Sequence, residues 1–168
     1  MRILGVDPGL KTTGFGIVEV DGSRMRLIDA GCIEPKRTAV LPERLFKIHK
    51  GLAQIISEQK PDYLVLEKLY AHYKHPTTAS ILGHARGVIC LLCAEHKLPL
   101  IEHSVKRIRK SVVGNGNATK EQTQRQVIHI LGIRTRHLTL DTSDALALAL
   151  GHAQMMRGLI AQELLTSL

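Results

Sequence analysis

The chain has no tryptophan, two phenylalanines and three tyrosines in 168 residues. Aromatic bulk therefore does not fill its core, which must be built from the aliphatic residues that bring the hydrophobic fraction to 44%. Cysteine is also scarce. Cys32, Cys90 and Cys93 exclude a disulfide framework, and Cys90-x-x-Cys93 falls inside an apolar helical stretch with no second pair to complete a zinc site. All three read as buried thiols. No apolar run approaches the roughly 18 to 20 residues of a membrane span. The opening MRILGVDPG lacks the apolar core and cleavage site of a secretory signal, so the expected location is the cytoplasm. No repeat, low-complexity tract or linker interrupts the chain. One domain is expected over residues 1–157, with a tail at 158–168 that frays. At this length a single domain buries roughly 68 to 70% of its unfolded surface and needs no staples.

Acid is the next shortage. Asp and Glu total 15 against 23 Lys and Arg, for a formal net charge of +8. Setting aside Asp7, Glu67, Asp141 and Asp144, taken up below, leaves 11 acids against the same 23 bases. A molecule that is strongly basic apart from one small acidic patch suits a polyanion partner. Bases cluster at Lys106, Arg107, Arg109 and Lys110, and again at Arg134 and Arg136 beside His137, a pattern that fits phosphate contacts.

The hydrophobic pattern predicts β, β, β, α, β, α, β and then helices. Strands are expected at Arg2 to Asp7, Gly14 to Val20 and Met25 to Ile33, the last two joined through the hairpin signal Asp21-Gly22. Leu45, Ile48, Leu52, Ile55 and Ile56 give helical spacing over Pro42 to Gln59. A strand from Asp62 to Glu67, a helix from Thr78 to His96 and a short strand from Leu98 to Glu102 follow. Helices are then expected at Val105 to Val113, Thr119 to Leu131 and Thr142 to Arg157. The helix from Thr78 to His96 is apolar nearly all round, so a face left over after covering the sheet implies a second copy about a two-fold axis.

Three of these elements deliver carboxylates. Asp7 closes the first strand before PGLKTTGFG, a turn in which Gly9, Gly14 and Gly16 are expected to supply backbone angles that other residues resist. Glu67 closes DYLVLE. Asp141 and Asp144 stand three apart before ALALALGHAQMM, on one face of a helix. That pair would equally serve as an N-cap and its third-position partner, Asp7 as a turn former, and Glu67 as a partner of Lys68 or Lys120. The scattered histidines, His152 among them, read as packing or surface residues. Tyr70 and Tyr73 lie in the polar, basic loop YAHYKHP directly after Glu67, where stacking on an unpaired base is worth roughly 1 to 3 kcal/mol.

A three-stranded antiparallel meander followed by two parallel strands and flanking helices is the α/β layout of the ribonuclease H-like fold, a mixed five-stranded sheet. Asp7-Pro8-Gly9 with Gly14, the strand ending in Glu67, Gly83-His84-Ala85-Arg86-Gly87, Val112-Val113-Gly114-Asn115-Gly116 with Lys120, and Asp141-Thr142-Ser143-Asp144-Ala145-Leu146-Ala147 occur in order. Together they resemble the bacterial RuvC-type Holliday junction resolvases, to about residue 157. The resemblance implies paired cutting of four-way DNA junctions in recombination and repair. It makes Asp7, Glu67, Asp141 and Asp144 ligands of two Mg2+ ions per subunit, replaceable by Mn2+. Hard divalent ions prefer carboxylate oxygens, and a pair about 3.5 to 4 Å apart both activates water and stabilises the leaving oxygen. Lys120 matches a catalytic basic position of the family, whereas Arg109 stands where lysine is usual. Tyr70 matches the aromatic that props the junction open, where phenylalanine is usual. A homodimer and RuvA and RuvB type branch-migration partners are implied. Other readings are a YqgF-like ribosomal RNA processing nuclease, an actin-like nucleotide-binding domain, and a junction-binding module without activity.

Overall fold

A computed structural model describes residues 1–68, 76–134 and 138–166, with side chains left out at 76–79, 81 and 160–166. Three antiparallel strands open it: β1 Arg2–Asp7, β2 Thr13–Asp21 and β3 Arg24–Ile33. Asp21 faces Arg24 across the hairpin, and Gly22 takes the left-handed angle that turn requires, φ +55°. Helix α1 Leu41–Gln59 leads to β4 Tyr63–Glu67, helix α2 Pro76–Glu95 to β5 Leu100–His103, and then α3 Val105–Val113, α4 Lys120–Leu131 and α5 Leu140–Thr166 follow. The sheet order is β3-β2-β1-β4-β5, with β4 and β5 parallel to β1. This is the expected ribonuclease H-like sheet.

Strand alternation sorts the core into two layers. Leu4, Val6, Leu64 and Leu66 face α1 and α2, where Ile48, Leu52, Ile89 and Leu92 complete one cluster. Ile3, Val18 and Val65 face the other way, against α3, α4 and α5. Because side chains in a strand alternate sides, the residues one step beyond Val6 and Leu66 project toward α5. Those residues are Asp7 and Glu67.

Helix α5 lies directly on the strands because β1 and β2 present glycine beneath it. A Cβ on Gly5 would sit 2.0 Å from the Ala145 carbonyl oxygen, one on Gly14 2.2 Å from the Asp141 carbonyl oxygen, and one on Gly16 2.5 Å from Leu146. This corrects the conformational argument for Gly14 and Gly16, since the glycines with positive φ are Gly22, Gly114 and Gly132. Their requirement is space. Gly9 likewise has ordinary φ, and its Cβ would meet the Thr12 carbonyl oxygen at 2.3 Å.

Local chemistry fixes the helix starts. Ser104 accepts a hydrogen bond from the Arg107 N–H at the head of α3, and Thr119 and Gln122 cap α4 reciprocally. At α5 the cap is Thr139, whose hydroxyl accepts from the Thr142 N–H at 3.2 Å. Asp141 is therefore not the N-cap, contrary to the capping alternative. At its far end α5 runs to Thr166 rather than stopping at Arg157. The extension contains no proline, and one glycine, Gly158, costs only about 1 kcal/mol.

The thiols are less buried than expected: Cys93 is buried, but Cys90 is exposed and Cys32 only partly covered. On α2, Ala85, Ile89 and Leu92 are buried while Leu91 is 54% exposed, so an apolar side chain does remain outside. Among the described residues no helix is long and apolar enough to cross a membrane.

Candidate active site

Asp7, Glu67 and Asp144 line one pocket of about 260 Å³, walled by Val105, Ile108 and Arg109 of α3 and by Lys120 and Thr123 of α4. Parallel pairing of β1 with β4, with Val6 opposite Leu66, brings the first two acids out at the same sheet end. Asp144 reaches them from α5. Asp141, one turn earlier, does not line the pocket, yet its charge still acts on Asp7. The pocket thus joins three of the four expected acids with Lys120 and Arg109, and holds the fourth at its margin.

The electrostatics are those of anions forced together. Burial pushes the Asp7 carboxyl up to about 7, and the charges of Asp144, Asp141 and Glu67 add to the rise while Lys120 opposes it. Glu67 is also raised, by burial first and then by Asp144. Lys120 Nζ donates to Asp144 Oδ2 at 2.5 Å, a bond that raises the lysine above its ordinary value. Lys120 therefore partners Asp144, not Glu67.

Asp7 and Glu67 carry their charge at neutral pH only at an electrostatic cost, and cations relieve it. Carboxylate oxygens are the donors that hard divalent ions prefer, so the residues present fit such ions. The fit is not a finished cage. Among the described residues no group of three His, Cys, Asp or Glu side chains is close enough to hold an ion as it stands.

The start of α5 is clamped to β3. The Thr142 hydroxyl donates to the Gly31 carbonyl at 3.2 Å and lies 2.8 Å from the Thr139 hydroxyl, and Cys32 Sγ touches both hydroxyls. Asp141 sits between the two threonines. Glu67 is held from the other face: Arg86, buried on α2, donates through Nη1 to the Glu67 carbonyl at 2.7 Å and through Nη2 to Glu102 of β5. Sequence reasoning passed over Arg86 as a positioning group. Its signal was a lone cation between Ala85 and Ile89 on an otherwise apolar helix, where a buried charge must find partners.

His103 and His152 behave as packing residues. His103 Nε2 and His152 Nδ1 are 3.0 Å apart between β5 and α5. Burial, then His152 and Arg107, brings His103 down to about 4. Of the basic run, Arg109 enters the acid pocket, Lys106 shares an adjoining cleft with it, and Arg107 turns toward Met155 on α5. Lys110 is exposed. Tyr70 and Tyr73 lie outside the described residues, as do Arg136 and His137.

Fold and pocket together are those of a ribonuclease H-like nuclease. The chain belongs to the crossover junction endodeoxyribonuclease RuvC family, whose model matches residues 3–152. It is 42% identical over 151 residues to the crossover junction endodeoxyribonuclease RuvC of Rhodopirellula baltica, covering 89% of this chain and 85% of the relative. The counterpart from Nitrosomonas eutropha is 39% identical over 161 residues, covering 96% and 89%. The structure of T. thermophilus RuvC in complex with a Holliday junction substrate superposes with a TM-score of 0.87 at 27% identity, covering 94% of this chain and 95% of that one.

Proposed function

We propose that this chain resolves four-way DNA junctions through a metal centre held by Asp7, Glu67, Asp141 and Asp144. The observation that carries the reading is the convergence of Asp7, Glu67 and Asp144 with Lys120 and Arg109 in one pocket of a chain whose net charge is +8. Four carboxylates match the charge of two divalent ions, Mg2+ with Mn2+ as substitute. Bound there, such ions supply a nucleophilic water and stabilise the leaving oxygen of the phosphodiester.

The chain's own groups do the rest. Asp7 and Glu67 offer oxygens from fixed strand ends, and α5 brings Asp144 to them with Asp141 at the margin. Lys120 and Arg109 set cationic donors at the pocket wall to orient the scissile phosphate. Arg109 can bind it in fork geometry, where a lysine would act as a point charge. Lys106, Arg107 and Lys110 extend phosphate contacts along α3, and Tyr70 and Tyr73 stack on bases freed at the crossover. Two matched cuts call for two subunits, and exposed Leu91 on α2 gives a homodimer an apolar contact. Residues 1–157 constitute the nuclease domain and 158–168 an appended tail. RuvA and RuvB type proteins are the natural partners in a cytoplasmic setting.

The test is cleavage of labelled four-way junction, duplex, single-stranded DNA and structured RNA, with and without Mg2+. Junctions should be cut symmetrically and only with the metal. Asp7→Asn, Glu67→Gln, Asp141→Asn and Asp144→Asn should each lower the rate at least a hundredfold while junction binding persists. Binding without cleavage in the unaltered chain would leave only a junction-binding module.

A further inference from the structure

A second basic cleft lies on the other side of the sheet from α3 and α4. Lys11, Thr12, Glu34, Pro35, Arg37 and Arg44 line about 530 Å³ between the turn that follows β1 and the segment joining β3 to α1. Three cations and one carboxylate leave it positive. Its walls are built rather than incidental. Arg44 donates through Nε to the Ala39 carbonyl at 2.7 Å, through Nη2 to the Arg37 carbonyl at 2.8 Å and through Nη1 to the Leu10 carbonyl at 3.4 Å. One guanidinium therefore ties the β1–β2 turn to the β3–α1 segment and fixes the cleft before anything binds.

Arg44 is consumed by that work, but Lys11 and Arg37 are not. Both are exposed, and among the described residues neither side chain has a hydrogen-bond or ion-pair partner. Two unpaired cations facing one preformed cleft suit a phosphate. Lys11 is four residues beyond Asp7, so their Cα atoms are at most roughly 14 Å apart. At about 3.4 Å per nucleotide along one strand, this places Lys11 within roughly four nucleotides of a phosphate seated in the acid pocket.

We propose that Lys11 and Arg37 form a second phosphate-binding cleft, which grips the DNA strand on the α1 side of the acid pocket while Arg109 and Lys120 grip it on the α3–α4 side. The inference rests on junction cleavage as the function of the acid pocket. It adds a backbone contact that holds the strand in register across the scissile bond. Such contacts position a duplex arm and carry no sequence information, so the cleft should act alike on junctions of different sequence.

The experiment measures the salt dependence of junction binding for the full chain and for Lys11→Ala, Arg37→Ala and the double variant. It is repeated on junctions in which single phosphates near the cut are replaced by neutral methylphosphonates. Each lost contact should lower the slope of log affinity against log salt by roughly 0.9, and the double variant by about twice that. Neutral phosphates within roughly four nucleotides on one side of the cut should weaken the unaltered chain but not the double variant. Those that weaken Arg109→Ala least should lie on the other side of the cut. Thermal melting should be unchanged, because neither side chain supports the fold. An unchanged slope in the double variant, or an interference pattern identical to that of Arg109→Ala, would overturn the second cleft while junction cleavage stood. Failure of the unaltered chain to bind junctions at all would instead remove the reading beneath it.

Discussion

Lys120 and Asp144 form an ion pair at 2.5 Å in the mouth of the acid pocket, from the first position of α4 to the first turns of α5. The ammonium claims a carboxylate oxygen that a divalent ion would also claim. It is only half-buried, so the pair itself adds little stability. Its weight lies in competition.

Lys120→Gln should therefore bind Mn2+ at least as tightly as the unaltered chain while cutting junctions at least tenfold more slowly, because the variant loses the phosphate contact but also the competitor. Calorimetric titration of the metal and single-turnover cleavage measure the two effects separately. Weaker metal binding in the variant would show that the lysine supports the ligand set instead of contesting it.

The raised Asp7 carboxyl makes metal-free stability depend on pH. Its folded value of about 7 lies above the ordinary 3.8. Between those values the folded state binds more protons than the unfolded one, so stability falls as pH rises through the window and stays low above it. Asp7→Asn should remove the Asp7 share of the dependence, leaving that of Glu67. Melted in chelator, it should be more stable than the unaltered chain at pH 8 and differ little at pH 4. Each kcal/mol should appear as roughly 2 to 4 °C in Tm. Equal Tm differences at both pH values would place the effect elsewhere.

Gly14→Ala tests the close approach of α5. The new methyl would lie 2.2 Å from the Asp141 carbonyl oxygen, so the first turn of α5 must shift. Overpacking of this kind costs about 1 to 3 kcal/mol. Cleavage should fall more than the Tm loss explains, because the displaced turn carries Asp141 and precedes Asp144. Mg2+ titrations of the residual activity should show a raised metal requirement.

Arg86→Gln should likewise raise the Mg2+ concentration needed for half-maximal cleavage, since the Glu67 carbonyl loses its donor and the strand end loosens. Leaving a buried acceptor unpaired costs about 1 to 3 kcal/mol, and Arg86→Lys should recover part of the loss. If Arg86→Gln lowered Tm but left the metal requirement untouched, Arg86 would be a packing residue only.

The four acids were legible because each stands at a visible boundary: a strand followed by a glycine-rich turn, a second strand end, and the start of an apolar helix. Sheet order was legible because the Asp21-Gly22 hairpin and the alternation of helix and strand allow few topologies. Gly14 was noticed for the wrong reason. Sequence shows that a side chain is absent but not whether an angle or a neighbour demands it, and here the neighbour is a carbonyl more than a hundred residues away. The Thr139–Thr142–Cys32 clamp was illegible for the same cause, being a contact between β3 and α5. Arg86 could have been suspected as a lone cation on an apolar stretch, but one of its two acceptors, the Glu67 backbone carbonyl, carries no residue signature.

Val6 lies opposite Leu66 in the parallel pairing of β1 and β4, and that register sends the next residue of each strand to the α5 side. A strand has only two sides, so deleting or inserting one residue in either strand would turn its acid toward α1 and α2 while leaving its identity intact. Strand length is thus as much a part of the proposed metal centre as the carboxylates. Sequence changes that keep all four acids but alter the count between Arg2 and Asp7, or between Tyr63 and Glu67, should be as damaging as losing an acid.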